Sequence, residues 1–213
     1  DIFNSFKMGN KIDNVQLSID LKNLNRLDCQ RERKRNCGED WARGKLITNK
    51  ETFPIKLRAK GDREIHRIDL SNMSFKIDIR GEKRYRGMEE FSIQKPIIRN
   101  YTSEILVSEL IKESNIISPR HFYIKLYLNG KYLGLRHIEE SYSRELIEAN
   151  ERRYGPVYGL DENTVLPLLK YGLYYKKHEL HDSKNWTEKN LQQAKTALSV
   201  LEHSQNNQDI IKN

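Results

Sequence analysis

Residues 55–98 read IKLRAKGDREIHRIDLSNMSFKIDIRGEKRYRGMEEFSIQKPII and decide the fold, because three strand patterns lie in or beside them. Apolar and charged residues alternate over Phe53–Ala59 and Ser74–Arg80, and a third apolar run covers Glu90–Gln94. A period of two gives each strand one apolar and one charged face. In a shared sheet, the charged face carries Arg58, Lys60, Lys76 and Arg80. Such a face binds phosphates or is a solvated surface, and the alternation leaves both readings open.

The composition is that of a highly charged globular protein. The 213 residues are 37% apolar and 32% charged, with a formal net charge of +8. This charge favours anionic partners, which include nucleotide phosphates, nucleic acid, acidic proteins and an anionic envelope. Nucleic acid is the least favoured of these, because aromatic residues are not interleaved with the cations. No apolar run approaches the ~20 residues of a membrane span.

Neither the cellular compartment nor the state of the cysteines follows from the sequence. The chain opens on Asp1, Ile2 and Phe3, without the basic start and long apolar core of a signal peptide. Cys29 and Cys37 lie in one short loop, and their spacing does not match a zinc site. A local disulfide and two free thiols both stay open.

Further strands and helices surround the opening stretch. Alternation predicts a strand at Val15–Leu21, whereas residues 41–45 (WARGK) predict a helix end with Gly44 in a left-handed position. The dipeptide Asn129-Gly130 predicts a hairpin over residues 122–139, since both positions of a type I′ turn need positive φ. Two later helices are predicted, one capped by Ser143 and one covering residues 187–203.

A helix is predicted over Thr102–Ser114, between the third strand and the hairpin. Thr102 is the expected N-cap, and Glu104 complements the dipole of the first turn. Leu106, Val107, Leu110 and Ile111 form one apolar stripe, which predicts the buried face. Glu109 lies beside this stripe and is either an exposed charge or the partner of a cation on the sheet.

The order of elements predicts an α+β fold, an antiparallel sheet with packed helices followed by a helical C-terminal segment. The small lobe of a protein kinase is built in this way, with a sheet lysine that holds nucleotide phosphates and a helix glutamate that pairs with it. On this analogy Lys76 is the phosphate lysine, Glu109 is its partner, and Glu139 and Glu140 lie at the hinge. Fold analogy alone does not establish a function.

Five segments carry a resemblance to a known family: RAKGDREIH, MSFKIDIRG, GMEEFSIQKPIIRNYTSEIL, LNGKYLGLRHIEE and RRYGPVYGLDE. Together they resemble the spore coat protein H (CotH) kinase family, and the resemblance runs from about Val15 to the end of the chain. It implies an atypical protein kinase, secreted or associated with the bacterial envelope. Such a kinase transfers the γ-phosphate of ATP to Ser or Thr of a protein substrate and uses a divalent cation, Mg²⁺ or Mn²⁺.

The resemblance also implies candidate site residues. Lys60 matches the basic residue of the first conserved strand and turn, and Arg58 precedes it. Lys76 lies in the second conserved strand, where a basic residue is expected, and Glu139 matches the acid that closes the hairpin. With Glu109 from the kinase analogy, the predicted nucleotide-binding set is Arg58, Lys60, Lys76, Glu109 and Glu139. No catalytic residue and no metal ligand is predicted.

The catalytic and metal-binding aspartates of the family lie in a C-terminal lobe that we do not find before Asn213. We therefore expect residues 1–160 to form the N-lobe and residues 161–213 to form a helical segment that leads toward the missing lobe. A fragment of this kind is expected to be inactive alone. The alternative is a non-catalytic envelope module whose basic sheet face binds an anionic polymer or a protein partner.

Overall fold

The structure is a computed structural model that describes residues 12–27, 40–60, 70–155, 157–160, 178–181 and 187–211. The two cysteines and the residues that directly follow Lys60, Gly61 and Asp62, lie outside these residues. The chain forms two compact units, Asp1–Arg152 and Arg153–Asn213. The predicted domains 1–160 and 161–213 stay a prediction.

Seven strands of the first unit form a closed barrel in the order β1-β2-β3-β4-β5-β7-β6. The strands are β1 (Asp13–Ser18), β2 (Ala42–Ile47), β3 (Thr52–Ala59), β4 (Phe75–Ile79), β5 (Glu90–Gln94), β6 (His121–Leu128) and β7 (Lys131–Glu140). All neighbours are antiparallel except β1 and β6, which are parallel. The strands β3, β4 and β5 confirm the three strands predicted in and beside residues 55–98. The hairpin of β6 and β7 confirms the predicted turn at Asn129 and Gly130, whose φ values are 47° and 84°.

The predicted fold class is wrong: the first unit is a mixed β-barrel and not an α+β kinase lobe with packed helices. One cause is β2, since residues 42–45 belong to this strand and not to a helix end. Gly44 lies opposite Ile55 of β3, where a side chain would meet the Ser18 carbonyl oxygen. The second cause is the pairing of β1 with β6, which joins the two edges of the sheet and removes its exposed edges.

Asn129 helps to close the barrel. Its side-chain oxygen accepts a hydrogen bond from the backbone N–H of Ile19 at 2.8 Å, and its side-chain nitrogen donates to the Ile19 carbonyl at 2.8 Å. Its own backbone N–H donates to the Leu17 carbonyl. The residue that allows the hairpin turn therefore also fixes the end of β1 against it.

The barrel interior holds the hydrophobic core, since the apolar residue of each alternating pair points inward. All seven strands contribute buried apolar side chains, among them Leu17, Leu46, Phe53, Phe75, Phe91, Leu126 and Ile138. Tyr85, from the β4–β5 connection, packs against Phe53, Phe91 and Phe122 and donates to Asp13 at 3.0 Å. Most charged residues of the strands are thereby left on the outside of the barrel, whereas Arg136 and Glu140 of β7 are buried.

The helical elements of this unit are α1 (Leu21–Leu27), a 3-10 turn (Pro96–Arg99), α2 (Ser103–Glu113) and α3 (Arg144–Ala149). The helix α2 is present as predicted, but its predicted buried stripe is wrong. Leu106, Val107 and Leu110 are exposed, whereas Ser108 is buried and hydrogen-bonded to the Ser118 hydroxyl and the Pro119 carbonyl. The predicted cap at Ser143 is confirmed, since its hydroxyl accepts from the Leu146 N–H.

The described part of the second unit contains β8 (Val157–Leu160), β9 (His178–His181) and α4 (Glu188–Ile211). The strands β8 and β9 are antiparallel and form a two-stranded sheet. The helix α4 confirms the predicted helix after Thr187, whose hydroxyl accepts from the Asn190 N–H at 3.3 Å. Across the described residues, no helix has both the length and the apolar character needed to cross a bilayer.

Candidate functional site

The strand register brings several predicted site residues into one row on the outside of the barrel. Arg58 of β3 lies opposite Lys76 of β4, and Lys76 lies opposite Ser92 of β5. Ser92 in turn lies opposite Glu139 of β7. Lys60 follows the end of β3, and its backbone N–H donates to the Ser74 carbonyl, which extends the β3–β4 ladder. The row therefore begins with cations and ends on a carboxylate.

Glu139 is the centre of a partly buried polar cluster. One of its carboxylate oxygens accepts from Lys60 Nζ at 3.2 Å, from Gln94 Nε2 at 2.6 Å and from Arg99 Nη2 at 2.5 Å. Arg99 lies on the 3-10 turn and also donates to Glu104, at the start of α2. Hydrogen bonds to ionised partners are about twice as strong as neutral ones. The cluster therefore ties β3, β5 and β7 to the turn that leads into α2.

The charges in this cluster shift one another's protonation. Burial acts to raise the pKa of Glu139, but Lys60 and Arg99 outweigh it, and the pKa lies below its ordinary value. Burial lowers the pKa of Lys60, and the charge of Glu139 opposes this effect. Glu139 is therefore ionised at neutral pH, and its charge opposes the effect of desolvation on the Lys60 ammonium group.

Two histidines lie beside Glu139 on the same outer face. The rings of His121 and His137 are stacked, with centroids 5.1 Å apart and an interplanar angle of 10°. His137 is fully buried, and neither of its ring nitrogens has a hydrogen-bond partner in the described part of the chain. Burial, together with the charge of His121, lowers the pKa of His137 to about 4. His137 is therefore neutral at physiological pH.

Residues 57–212 match the family model described as CotH kinase protein. The chain belongs to the CotH kinase family. No curated protein matches it. The family resemblance of the five quoted segments is therefore confirmed, and the polar cluster lies within the matched region.

The other predicted site residues of this CotH family chain have different neighbours. Lys76 Nζ forms an ion pair with Glu90 at 2.9 Å, and Glu109 pairs with Lys112, one turn along α2, at 2.8 Å. The described ion pairs thus join Lys76 and Glu109 to other residues and not to each other. The guanidinium of Arg58 lies over the Trp41 ring, 5.4 Å from its centroid. Within the predicted set, the described contacts join Lys60 directly to Glu139.

The two adjacent acids at the end of the CotH hairpin have separate roles. Glu139 points outward into the cluster, whereas Glu140 points inward and its side chain is fully buried. Glu140 forms an ion pair with Arg120, whose backbone N–H also donates to it at 3.1 Å. Arg120 also donates to the Arg86 carbonyl at 2.6 Å, so this pair fixes the open end of the hairpin to the β4–β5 connection. Glu140 is structural in this arrangement, and Glu139 is the acid of the candidate site.

The described carboxylates do not form a site for a divalent cation. In the part of the chain with described side chains, no group of three or more His, Cys, Asp or Glu residues is arranged to hold a metal ion. Glu139 and Glu140 are both occupied by cationic partners. The described residues therefore do not fit the divalent cation that the family implies, and we assign no step to it.

Sequence reasoning missed Gln94, Arg99 and His137. The period of two in β5 places Gln94 on the same face as Ser92, so alternation was a signal for this residue. Arg99 carried no periodic signal, because it lies on a 3-10 turn. His137 lies two residues before Glu139 and so shares its face, but its burial depends on packing from other elements.

Proposed function

We propose that this CotH family chain acts in ATP-dependent phosphoryl transfer to Ser or Thr of a protein substrate. The observation that carries the proposal is the ion pair of Lys60 with Glu139, which Arg99 joins. In protein kinases a sheet lysine, paired with a helix glutamate, is positioned against nucleotide phosphates. Here the glutamate that pairs with the lysine lies on a strand, β7. The family membership supports the same reaction class.

In this proposal the outer face of the barrel contacts the phosphates. Lys60 and Arg99 neutralise phosphate oxygens, and Glu139 orients both cations through hydrogen bonds. Arg58 and Lys76 are cross-strand neighbours and extend the cationic face beyond the cluster. Glu109 takes no part, because its carboxylate is paired with Lys112 on α2.

ATP supplies the transferred γ-phosphoryl group, and Mg²⁺ or Mn²⁺ is the expected metal of such a reaction. Because the described carboxylates do not fit a metal, the proposal gives this chain's residues only the binding and orientation of phosphates. From the family, we also propose that the protein works in the bacterial envelope or outside the cell.

Transfer from radiolabelled ATP, measured with the full-length gene product in Mg²⁺ and in Mn²⁺, tests this proposal. We expect Lys60→Ala and Lys76→Ala to lower transfer at least about tenfold, since removal of one preorganised donor has effects of this size or larger. Lys125→Ala is the matched control, because Lys125 is exposed on β6 outside the cluster. Full activity of Lys76→Ala would remove Lys76 from the site. Absence of nucleotide binding by the intact protein would overturn the proposal.

The alternative function, a module that binds an anionic polymer through a basic sheet face, is weakened by the ion pairs of that face. Carboxylates neutralise several of its cations: Lys60 with Glu139, Lys76 with Glu90 and Arg80 with Asp78. A polymer would have to compete with each of these carboxylates. Strong polymer binding by the intact protein, with no nucleotide binding, would favour this alternative.

A further inference from the structure

Two elements pack on the outside of the β6–β7 hairpin. The 3-10 turn contacts β7, and α2 contacts β6. We call these two elements, residues 96–113, the cover. His137 is fully buried although it lies on the outer face of β7 beside Glu139. Burial at an outer position requires elements outside the barrel, and the cover supplies them.

The two histidines under the cover lack polar partners for most of their nitrogens. In the described part of the chain, both ring nitrogens of His137 and Nδ1 of His121 are buried without a hydrogen bond. Buried polar groups are bonded in the great majority of cases, so each exception calls for an explanation. The rings are stacked, with centroids 5.1 Å apart. They pack as neutral groups, and no described hydrogen bond would support a charge on His137.

The charges around the pair do not support its protonation either. The described titratable and charged groups come from each element that packs there: Tyr123 of β6, Glu139 of β7, Lys60 after β3, Arg99 of the 3-10 turn, and Glu104 and Lys112 of α2. The residue of β5 opposite His137 is the neutral Gln94. Lys112 is already paired with Glu109. Two protonated rings, together with Lys60 and Arg99, would therefore outnumber the carboxylates of Glu139 and Glu104.

The cover is held to the barrel mainly by polar contacts. Its one fully buried side chain is Ser108, and the 3-10 turn has none. Arg99 anchors the turn through hydrogen bonds to Glu139 and Glu104. The barrel, in contrast, has a continuous apolar core. Elements with few buried apolar contacts open at a lower free energy than the core, so the cover can open while the barrel stays folded.

We propose that His121 and His137 form an acid-triggered switch: when the pair is protonated, the cover leaves the outer face of β6 and β7 and the barrel remains intact. Protonated histidine pairs drive such changes because like charges repel at a desolvated contact. Release also separates Arg99 from Glu139, so acid would weaken the phosphate contacts of the candidate site. That last consequence rests on the proposed function, whereas the switch itself does not.

The pH range of the switch follows from the histidines. Burial, as the first cause, lowers the pKa of both rings, that of His137 to about 4. In the open state His137 returns to its ordinary pKa of 6.5. The closed state is therefore fully favoured above pH 6.5 and loses this advantage as the pH falls toward 4. Between about pH 7.5 and about pH 5, His137 alone raises the opening equilibrium about 25-fold.

Hydrogen exchange of the whole chain, followed by mass spectrometry and corrected for the intrinsic pH dependence of exchange, tests the proposal. We expect the protection of α2 amides to fall at least about tenfold from about pH 7.5 to about pH 5, while β3 keeps its protection. His137→Gln and His137→Phe should remove most of this pH dependence, because neither residue titrates. The matched control is His178→Gln, which makes the same change on β9 of the second unit and should leave the response of α2 as in wild type. Circular dichroism at neutral pH verifies that the variants are folded.

Three results would overturn the proposal: α2 protection that does not change with pH, simultaneous loss of protection in α2 and β3, or the wild-type response in the His137 variants. A measurement on wild type alone covers the case in which the variants do not fold. The imidazole proton signals of His137 in an NMR titration should shift over the same pH range in which α2 loses protection, and a shift outside that range would equally contradict the switch. None of these measurements uses nucleotide, so a failure of the proposed kinase function leaves their outcome unaffected.

Discussion

Replacement of Glu139 by Gln tests how the outer cluster is held together. The substitution keeps the size of the side chain but removes the charge that accepts from Lys60, Gln94 and Arg99. Removing one partner of a fully buried ion pair costs about 3–5 kcal/mol. The side chains of Glu139, Lys60 and Arg99 keep 19%, 30% and 27% of their exposure, so solvent reduces this cost. We expect a loss of about 2–3 kcal/mol.

Urea unfolding measures this loss. With a slope of about 2–3 kcal/mol per molar, the midpoint should fall by about 1 M. The control is Glu148→Gln, which removes an exposed ion pair with Arg144 within one helix and should change stability by only about 0.3–0.5 kcal/mol. Adding Lys60→Met to Glu139→Gln should recover part of the loss, with a coupling of about 1 kcal/mol or more.

The pH dependence gives a second test of the same cluster. The pKa of Glu139 is lowered in the folded state. Its contribution to the free energy of unfolding is therefore complete above the ordinary pKa of 4.5, and it is lost as the pH falls through the pKa of the folded state. The stability difference between wild type and Glu139→Gln should therefore be full at neutral pH and close in acid. A loss no larger than that of the control, or a difference that widens in acid, would refute the reasoning.

Three other predictions use the same unfolding assay. Burial and a hydrogen bond with Glu145 raise the pKa of Glu89 to about 7, so the contribution of Glu89 to the free energy of unfolding falls as the pH rises from 4.5 to 7. Glu89→Gln should therefore lose less stability than wild type over this window. Parallel curves of stability against pH for the two proteins would contradict this prediction. The pKa of His137 is lowered to about 4, so wild type should lose stability as the pH falls from 6.5 to 4. His137→Phe should lose less stability over the same range. A steeper loss in the variant would contradict a lowered pKa of His137 in the folded protein. Gly44→Ala places a Cβ 2.8 Å from the Ser18 carbonyl oxygen and should cost about 1–3 kcal/mol, whereas an unchanged midpoint would mean that β1 and β2 separate at little cost.

Local patterns predicted most of the elements. Alternation located β3, β4 and β5, because period-two burial is written into each strand without reference to its partners. The turn at Asn129-Gly130 was equally local, since it depends on two residues that accept positive φ. A local signal also caused the error at β2. The glycine at position 44 predicted the end of a helix, whereas Gly44 lies in a strand.

The buried face of α2 could not be predicted from its apolar stripe. Leu106, Val107 and Leu110 have helical spacing, but the connection from α2 to β6 offers the hydroxyl of Ser118, and the helix buries Ser108 against it. A hydrophobic stripe predicts burial only when the facing surface is apolar. The face that a helix presents to its neighbour is therefore a property of both partners.

The residues of the candidate site were predicted in part, but their contacts were not. The sequence singled out Lys60 and Glu139, but it assigned Glu109 to Lys76 on the kinase analogy, whereas the described structure joins Lys60 to Glu139 across 79 positions of chain. The register of β4, β5 and β7 makes this contact, and register depends on which strands are neighbours. Arg99 reaches the cluster only because the 3-10 turn folds back over β7.

By itself, the sequence determined the family, the alternation of the strands and the residue types available for phosphate binding, because each of these is encoded over short stretches. Only the tertiary structure decided that the sheet closes into a barrel. Closure requires β1 to lie parallel to β6, and Asn129 to hydrogen-bond Ile19, 110 positions away. Contacts at such separations depend on the path of the whole chain, and no local period carries them.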